Sequence, residues 1–207
     1  ARPRCVVFDL DGCLWRPCLQ QLRAAGAGLA VHLAWPDFGG APFRARPDGT
    51  LRDRRGERVS LFPGVRPALQ ELADASRWPR GVVACVASCC AEPNWARACL
   101  RAFTLEDGRA LADVLGVQEI RRGSKQRHIH SIVASVRCGV EDVLFFDNEA
   151  SHCADVAAIG ATAVHCPQGL TTELWRRAVR AFPAPRAVLG AAVGAGARGE
   201  KLADLSR

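Results

Sequence analysis

Five short apolar runs that alternate with amphipathic stretches constrain the fold of this chain more than any other feature. The runs lie at 5–8, 81–87, 117–120, 142–146 and 161–166. Most of the stretches between them carry apolar residues at helical spacing, which is typical of helices that cover one face of a sheet. This alternation predicts an α/β fold, a doubly wound parallel sheet of Rossmann-like type whose ligands bind at the carboxyl ends of the strands.

Two carboxylates two residues apart, Asp9 and Asp11, follow the first run where it opens into a loop. Side chains alternate faces along an extended segment, so both can point into one pocket while Leu10 turns into the core. A D-x-D pair by itself is also common in turns. At a strand end, however, one carboxylate could attack phosphorus and the other could move a proton, with a hard cation offsetting their charge.

Three more polar residues occupy comparable positions. Ser88 follows the run at 81–87, Asp147 follows the run at 142–146, and Lys125 comes directly after Ser124, a candidate helix N-cap. Separately, each has an ordinary structural explanation, such as a helix cap for Ser88 or a solvated helix position for Lys125. Together with the first carboxylate they are hard to explain by packing, and they favour a functional site.

These residues belong to an ordered series of motifs: F-D-L-D-G-C-L-W at 8–15, V-A-S-C at 86–89, G-S-K at 123–125, L-F-F-D-N-E at 144–149, G-A-T-A-V-H at 160–165 and Q-G-L at 168–170. The series resembles the haloacid dehalogenase superfamily, whose members are mostly phosphatases. Its details are similar to the magnesium-dependent phosphatase family of small, nearly capless members. The resemblance runs from about residue 5 to about residue 182 and is weak between 16 and 61.

The resemblance implies a phosphatase that uses Mg²⁺ and an aspartyl-phosphate intermediate, acting on a small sugar phosphate or on phosphotyrosine. The implied site residues are Asp9 as nucleophile and Asp11 as acid and base; Ser88, Cys89 and Lys125 for the substrate phosphate; Asp9, Asp11 and Asp147 for the metal, Asp11 through its carbonyl; and Asn148 and Glu149 for contacts with waters around the ion.

Two departures from the family pattern leave an alternative open. Cys13 stands where threonine is usual, and Asn148 stands where a second acidic residue is usual. The alternative is a catalytically weakened phosphate-binding or scaffolding protein on the same fold. Hydrolytic dehalogenation is disfavoured, because that chemistry does not need an acid at Asp11.

The expected organisation is one domain over residues 1–182, with a disordered tail at 183–207. A flap insertion at about 16–62 is expected to contain a short helix at 18–25 and a hairpin at 43–61, with no full cap domain. His128 and His130 are expected at the surface, and His165 near the pocket.

Composition limits the partners. The 28 basic and 21 acidic side chains give a net charge of +7, but the excess is spread out and densest at 44–58. We expect a solvated loop, or a rim that steers anionic substrates, and no nucleic-acid partner. The ten cysteines lack a C-x-x-C pair and are expected to be reduced, and no apolar run approaches the roughly 18 residues needed to cross a membrane. A cytoplasmic location is expected, with organellar import and the oligomeric state left open.

Overall fold

The structure is a computed structural model that describes residues 1–26, 42–53, 55–78, 81–184 and 188–190. The strands in these ranges are β1 (Cys5–Phe8), β2 (Trp15–Arg16), β3 (Arg44–Ala45), β4 (Leu51–Arg52), β5 (Arg58–Leu61), β6 (Val83–Ser88), β7 (Leu115–Ile120), β8 (Val143–Asp147), β9 (Thr162–His165) and β10 (Val188–Gly190). The helices are α1 (Leu19–Gly26), α2 (Val65–Ala73), α3 (Pro93–Ala102), α4 (Leu111–Val114), α5 (Lys125–Val136), α6 (Ala150–Ala158) and α7 (Thr172–Ala181).

The central sheet has six strands in the order β10-β9-β8-β1-β6-β7, and every neighbouring pair is parallel. Helices connect these strands across both faces of the sheet. The predicted doubly wound α/β fold is confirmed. Strand β1 lies between β8 and β6, so the carboxyl ends of these three strands meet at one edge.

The sheet divides the core into two layers because successive side chains of a strand point to opposite faces. On β1, Val6 and Phe8 pack in the larger layer with α2, α3 and α7. Cys5 and Val7 pack in the smaller layer with α5 and α6. All four side chains are fully buried, which explains why the strand reads as a continuous apolar run.

A second sheet lies between β1 and α2 in the chain, where the sequence predicts a flap. Its order is β2-β5-β4-β3, and its strands are antiparallel. The predicted hairpin at 43–61 corresponds to three short strands joined by two turns. Strand β2 pairs with β5, which ties the start of this insertion to its end. Residues 27–41 of the predicted flap lie outside the described residues.

The structure corrects two expectations. Residues 188–190, within the predicted disordered tail, form β10 and pair with β9 at the edge of the sheet. His128 is buried rather than at the surface, because it lies four residues before Ile132 and therefore on the apolar stripe of α5. His130 is exposed, as expected. None of the described helices is long and apolar enough to span a bilayer.

Candidate active site

The predicted carboxylates meet at the carboxyl edge of the sheet. Asp9 follows β1, and Asp147 is the last residue of the neighbouring β8. The Asp9 amide donates to the carbonyl of Phe146 over 2.9 Å, which continues the strand pairing and places the two aspartates side by side. Ser88 ends β6 on the other side of β1.

Lys125 joins the two carboxylates. Its Nζ lies 2.5 Å from Oδ1 of Asp9, 3.0 Å from Oδ2 of Asp147 and 2.5 Å from the carbonyl oxygen of Ala87. The Lys125 side chain is fully buried, although lysine is rarely buried without a partner. It can reach this position because Ser124 caps α5, accepting a hydrogen bond from the Arg127 amide, so that the lysine starts the helix.

The proximity of these charges shifts their pKa values. Burial raises the pKa of Asp9 to about 6, against the opposing effect of Lys125 and with a further rise from Asp147. For Asp147, burial is outweighed by hydrogen bonds and charge from His152 and Lys125, so its pKa is lowered. Burial also opposes the charge of Lys125, but the two aspartates outweigh it and raise its pKa. One ammonium between two carboxylates leaves one uncompensated negative charge.

Asp11 is held apart from this cluster by the start of the insertion. Its Oδ1 accepts hydrogen bonds from Nε1 of Trp15 over 2.7 Å and from the Leu19 amide over 3.3 Å, and its Oδ2 accepts one from the Cys18 thiol over 3.3 Å. These donors fix the carboxylate while leaving it at the surface of the cleft. Trp15 is fully buried, so the donor is rigidly placed.

Of the three residues that the resemblance assigns to phosphate binding, Ser88 and Cys89 border the same cleft and Lys125 does not. Ser88 is buried, and its Oγ accepts a hydrogen bond from the Cys90 amide over 3.3 Å. The hydroxyl hydrogen of Ser88 has no acceptor among the residues that the structure describes, so it is available to a ligand. The thiol of Cys89 donates to the carbonyl of Gly123 over 3.0 Å, which ties the loop after β6 to the loop before Lys125.

The cleft has a volume of about 520 Å³. Six of the predicted site residues line it, namely Asp9, Asp11, Ser88, Cys89, Asn148 and Glu149. Lys125 and Asp147 are fully buried beneath it. Lys125 contacts Asp9, which lines the cleft, and Asp147 contacts Lys125. The structure therefore brings the predicted set together at one edge of the sheet.

Two site contacts were not predicted from the sequence. Nδ1 of His152 lies 3.2 Å from Oδ2 of Asp147, and this hydrogen bond raises the pKa of His152. The indole of Trp15 holds Asp11. A histidine at the first turn of the helix that follows a strand-end aspartate was the available signal for His152. His165, predicted near the pocket, contacts the carbonyl of Asn148 through Nε2 over 3.0 Å.

Cys13 takes a structural position in the loop after β1. Its thiol donates to the carbonyl of Phe146 over 3.6 Å and lies 3.5 Å from the thiol of Cys166. Its own carbonyl accepts a hydrogen bond from the Leu170 amide over 3.0 Å. The residue is fully buried, so the loop that carries Asp11 remains tied to β8 despite the missing hydroxyl.

The donor set of the cleft fits a hard divalent cation. Among the described residues, no three side chains of His, Cys, Asp or Glu surround one candidate ion position. Mg²⁺ does not need such a cage, since proteins bind it through one or two carboxylates, with waters and substrate phosphate completing the shell. The carboxylates of Asp9 and Asp147 and the uncompensated negative charge beside Lys125 meet this requirement.

Phosphatases are among the known proteins to which this chain is similar. The family model described as Acid Phosphatase matches residues 1–184. The chain is 29% identical over 180 residues to Magnesium-dependent phosphatase 1 of Homo sapiens, covering 87% of each chain. It is 27% identical over 165 residues to a HAD-like hydrolase superfamily protein of Schizosaccharomyces pombe, covering 77% of this chain and 83% of the relative.

A solved structure also shares the fold. The crystal structure of a putative haloacid dehalogenase-like hydrolase from Bacteroides fragilis aligns with a TM-score of 0.50 at 13% identity, covering 93% of this chain and 99% of that one. At this identity the likeness concerns the fold alone.

Proposed function

The chain belongs to the acid phosphatase family, and from that premise we propose that it hydrolyses phosphomonoesters with Mg²⁺ through an aspartyl-phosphate intermediate, an acyl phosphate formed on Asp9. The observation that carries the proposal is the contact of Lys125 with Asp9 and Asp147 at the floor of the cleft. It fixes a carboxylate at a strand end beneath a polar pocket, where a phosphate group could be attacked.

In the first step, Asp9 acts as the nucleophile. Lys125 holds Oδ1, so Oδ2 is the oxygen that attacks phosphorus. The bond between phosphorus and the leaving oxygen breaks, and the leaving oxygen takes the proton of Asp11. The leaving group departs as an alcohol or phenol, and the phosphoryl group stays on Asp9.

In the second step, Asp11 takes a proton from a water molecule. The oxygen of this water attacks phosphorus, and the bond between phosphorus and Oδ2 of Asp9 breaks. Inorganic phosphate is released, and Asp11 is protonated for the next cycle. The three donors on Asp11 hold its carboxylate at the same place in both steps.

The remaining residues bind charge. Asp9, Asp147 and the backbone carbonyl of Asp11 would hold Mg²⁺, which when bound neutralises the charge of the phosphate and of the two carboxylates. Ser88, through its hydroxyl and amide, and the amide of Cys89 would donate to the phosphoryl oxygens. Asn148 and Glu149 line the cleft where waters of the ion would lie.

The substrate proposed for this open cleft is a small phosphorylated metabolite, such as a sugar phosphate, or phosphotyrosine. We place the protein in the cytoplasm, because all ten cysteines are unpaired, as is typical of proteins in a reducing compartment.

The test is hydrolysis of p-nitrophenyl phosphate and of a sugar-phosphate panel, with Mg²⁺ and with EDTA. We expect activity that EDTA removes and that Asp9→Asn reduces by about three orders of magnitude or more, given typical losses on removing a nucleophile. Asp155→Asn, an exposed carboxylate on α6, is the matched control and should retain activity. Full activity of Asp9→Asn would reject the nucleophile, and phosphate binding without turnover would favour the scaffolding alternative.

A further inference from the structure

A second cavity adjoins the active-site cleft on the side of the insertion. It has a volume of about 510 Å³ and shares Arg16 and Pro17 with the cleft. Its other lining residues come from β5 and the turn after it, and include Arg58, Ser60 and Phe62. A ligand that fills the cleft can therefore extend into this cavity past Arg16.

The pairing of β2 with β5 gathers the polar groups of this cavity on one face. Arg16 is directly opposite Ser60. Residues two apart along a strand share a face, so Arg58 and Phe62 lie on the same side as Ser60. Trp15, the neighbour of Arg16, points the other way into the core and holds Asp11. The strand that positions the proposed acid thus presents Arg16 to the cavity beside it.

The two cavities differ in charge. Asp9, Asp11 and Glu149 line the cleft, whereas the lining of the second cavity contains two guanidinium groups and no carboxylate. Within the part of the chain that the structure describes, the ion pair of Arg58 is a long, exposed contact of 4.0 Å with Asp48. The guanidinium group of Arg16 has no hydrogen bond or ion pair with any described residue, so its N–H donors are available to a ligand.

Arg16 is an exposed side chain with one aromatic contact among the described residues. Its guanidinium carbon lies 5.7 Å from the centroid of the Phe62 ring, a cation–π contact. The ring is packed against Gly169, where an added Cβ would come within 2.2 Å of it. A planar guanidinium beside an aromatic ring is well suited to bidentate binding of a carboxylate or phosphate.

We propose that Arg16, assisted by Arg58, is a specificity-determining residue that binds a second anionic group on the leaving-group part of the substrate. The substrate class is a phosphomonoester that also carries a carboxylate or a second phosphate. This inference rests on the proposed function for the reaction, since Asp11 protonates the leaving oxygen and Asp11 is held by the neighbour of Arg16.

The test compares ligands that differ only in the second anion. The dissociation constants of phenyl phosphate and 4-carboxyphenyl phosphate are measured by calorimetry with the Asp9→Asn protein in Mg²⁺. Fructose 6-phosphate and fructose 1,6-bisphosphate form the second pair. We expect the doubly anionic member of at least one pair to bind about tenfold more tightly, as for a charge-assisted hydrogen bond. The pair that shows the difference identifies a carboxylate or a phosphate as the recognised group.

A further Arg16→Gln substitution in the Asp9→Asn protein should bring the ratio of the two dissociation constants of a ligand pair close to one. Arg16→Lys in the same protein should give an intermediate ratio. Arg46→Gln removes an exposed arginine from the same insertion outside the cavity and should leave the ratio unchanged. Equal binding within both pairs would overturn the proposal, as would a ratio that survives Arg16→Gln or falls equally with Arg46→Gln. The dissociation constants are measured without turnover. A wild-type protein without phosphatase activity would therefore reject the proposed function, while the comparison of dissociation constants would still test the role of Arg16.

Discussion

The ammonium group of Lys125 lies 2.5 Å from Oδ1 of Asp9, although the two residues are 116 positions apart in the chain. The same Nζ reaches Asp147, so one buried cation lies between two carboxylates from adjacent strands. Folding must bring all three charges out of water together, and removal of the ammonium would leave two buried carboxylates without the cation between them.

Lys125→Met should therefore lower the free energy of unfolding by about 3–5 kcal/mol, as is usual when one partner of a buried ion pair is lost. Urea denaturation measures this. Mg²⁺ should restore more stability to the variant than it adds to the wild type, because the cation replaces part of the missing charge. Arg127→Met, an exposed residue of the same helix, is the control. A Lys125→Met protein as stable as this control would contradict the prediction.

Trp15→Phe should impair the proposed acid while preserving the core, because it removes the indole donor to Asp11 and retains an aromatic ring. A hydrogen bond to a charged group contributes about 1.5–3 kcal/mol, so kcat/KM should fall roughly 10-fold to 100-fold for an alkyl phosphate. The fall should be smaller for p-nitrophenyl phosphate, whose leaving group needs little protonation.

Trp175→Phe provides the control for that experiment. Nε1 of Trp175 also donates to a carboxylate, Oε2 of Glu71, over 2.9 Å, but away from the cleft. The Trp175→Phe substitution should lower the free energy of unfolding without changing the ratio of the kcat/KM values for the two substrates. Equal losses on both substrates in Trp15→Phe would show that the indole does not act through Asp11.

The fold and much of the candidate site could be predicted because their signals are local. A strand buried on both faces is a continuous apolar run, and a polar residue at its end marks the sheet edge, as Asp9, Ser88 and Asp147 show. Lys125 followed from a motif rather than from its surroundings, since nothing nearby in sequence reveals that its side chain is fully buried.

Other contacts depend on tertiary placement, which apolar runs and the residues at their ends do not show. The indole of Trp15 reaches Asp11 because of how the loop between them closes. His152 contacts Asp147 only because α6 begins directly over the end of β8. Strand β10 forms because β9 offers a free edge to a segment whose sequence has little pattern of its own. Each of these is a pairing between elements, which periodicity along the chain does not encode.

Gly12→Ala should destabilise the loop that follows β1 for two separable reasons. Gly12 has a φ of +79°, where an L side chain is strained, and an added Cβ would lie 2.7 Å from Nδ2 of Asn148. Gly56→Ala carries only the first penalty, because its φ is +84° and nothing lies within 4 Å of its added Cβ. Strain of this kind costs about 1–2 kcal/mol.

Urea denaturation should show a larger loss of stability for Gly12→Ala than for Gly56→Ala. In an Asn148→Ala background, the additional loss of stability of Gly12→Ala over Gly56→Ala should disappear, because the side chain that the added methyl group contacts has been removed. A Gly12→Ala penalty no larger than that of Gly56→Ala would contradict the contact between the loop and Asn148.

His128 should make the stability of the protein depend on pH. It is fully buried, and neither ring nitrogen has a hydrogen-bond partner among the described residues. Burial, with the nearby charges of Lys125 and Arg121, lowers the pKa of His128. The unfolded chain, in which the pKa returns to about 6.5, then binds a proton more readily than the folded protein. The stability that the neutral His128 contributes is fully present above about pH 6.5 and is lost as the pH falls below that value.

The free energy of unfolding should therefore fall more between pH 7.5 and pH 5.5 in the wild type than in His128→Leu, as measured by urea denaturation at each pH. Asp9 and His152 have raised pKa values and act in the opposite direction, so the difference between the two proteins is the diagnostic quantity. His130→Leu, an exposed histidine of the same helix, should follow the wild type. Identical pH dependence in all three proteins would mean that His128 takes up its proton in the folded state as readily as in the unfolded one.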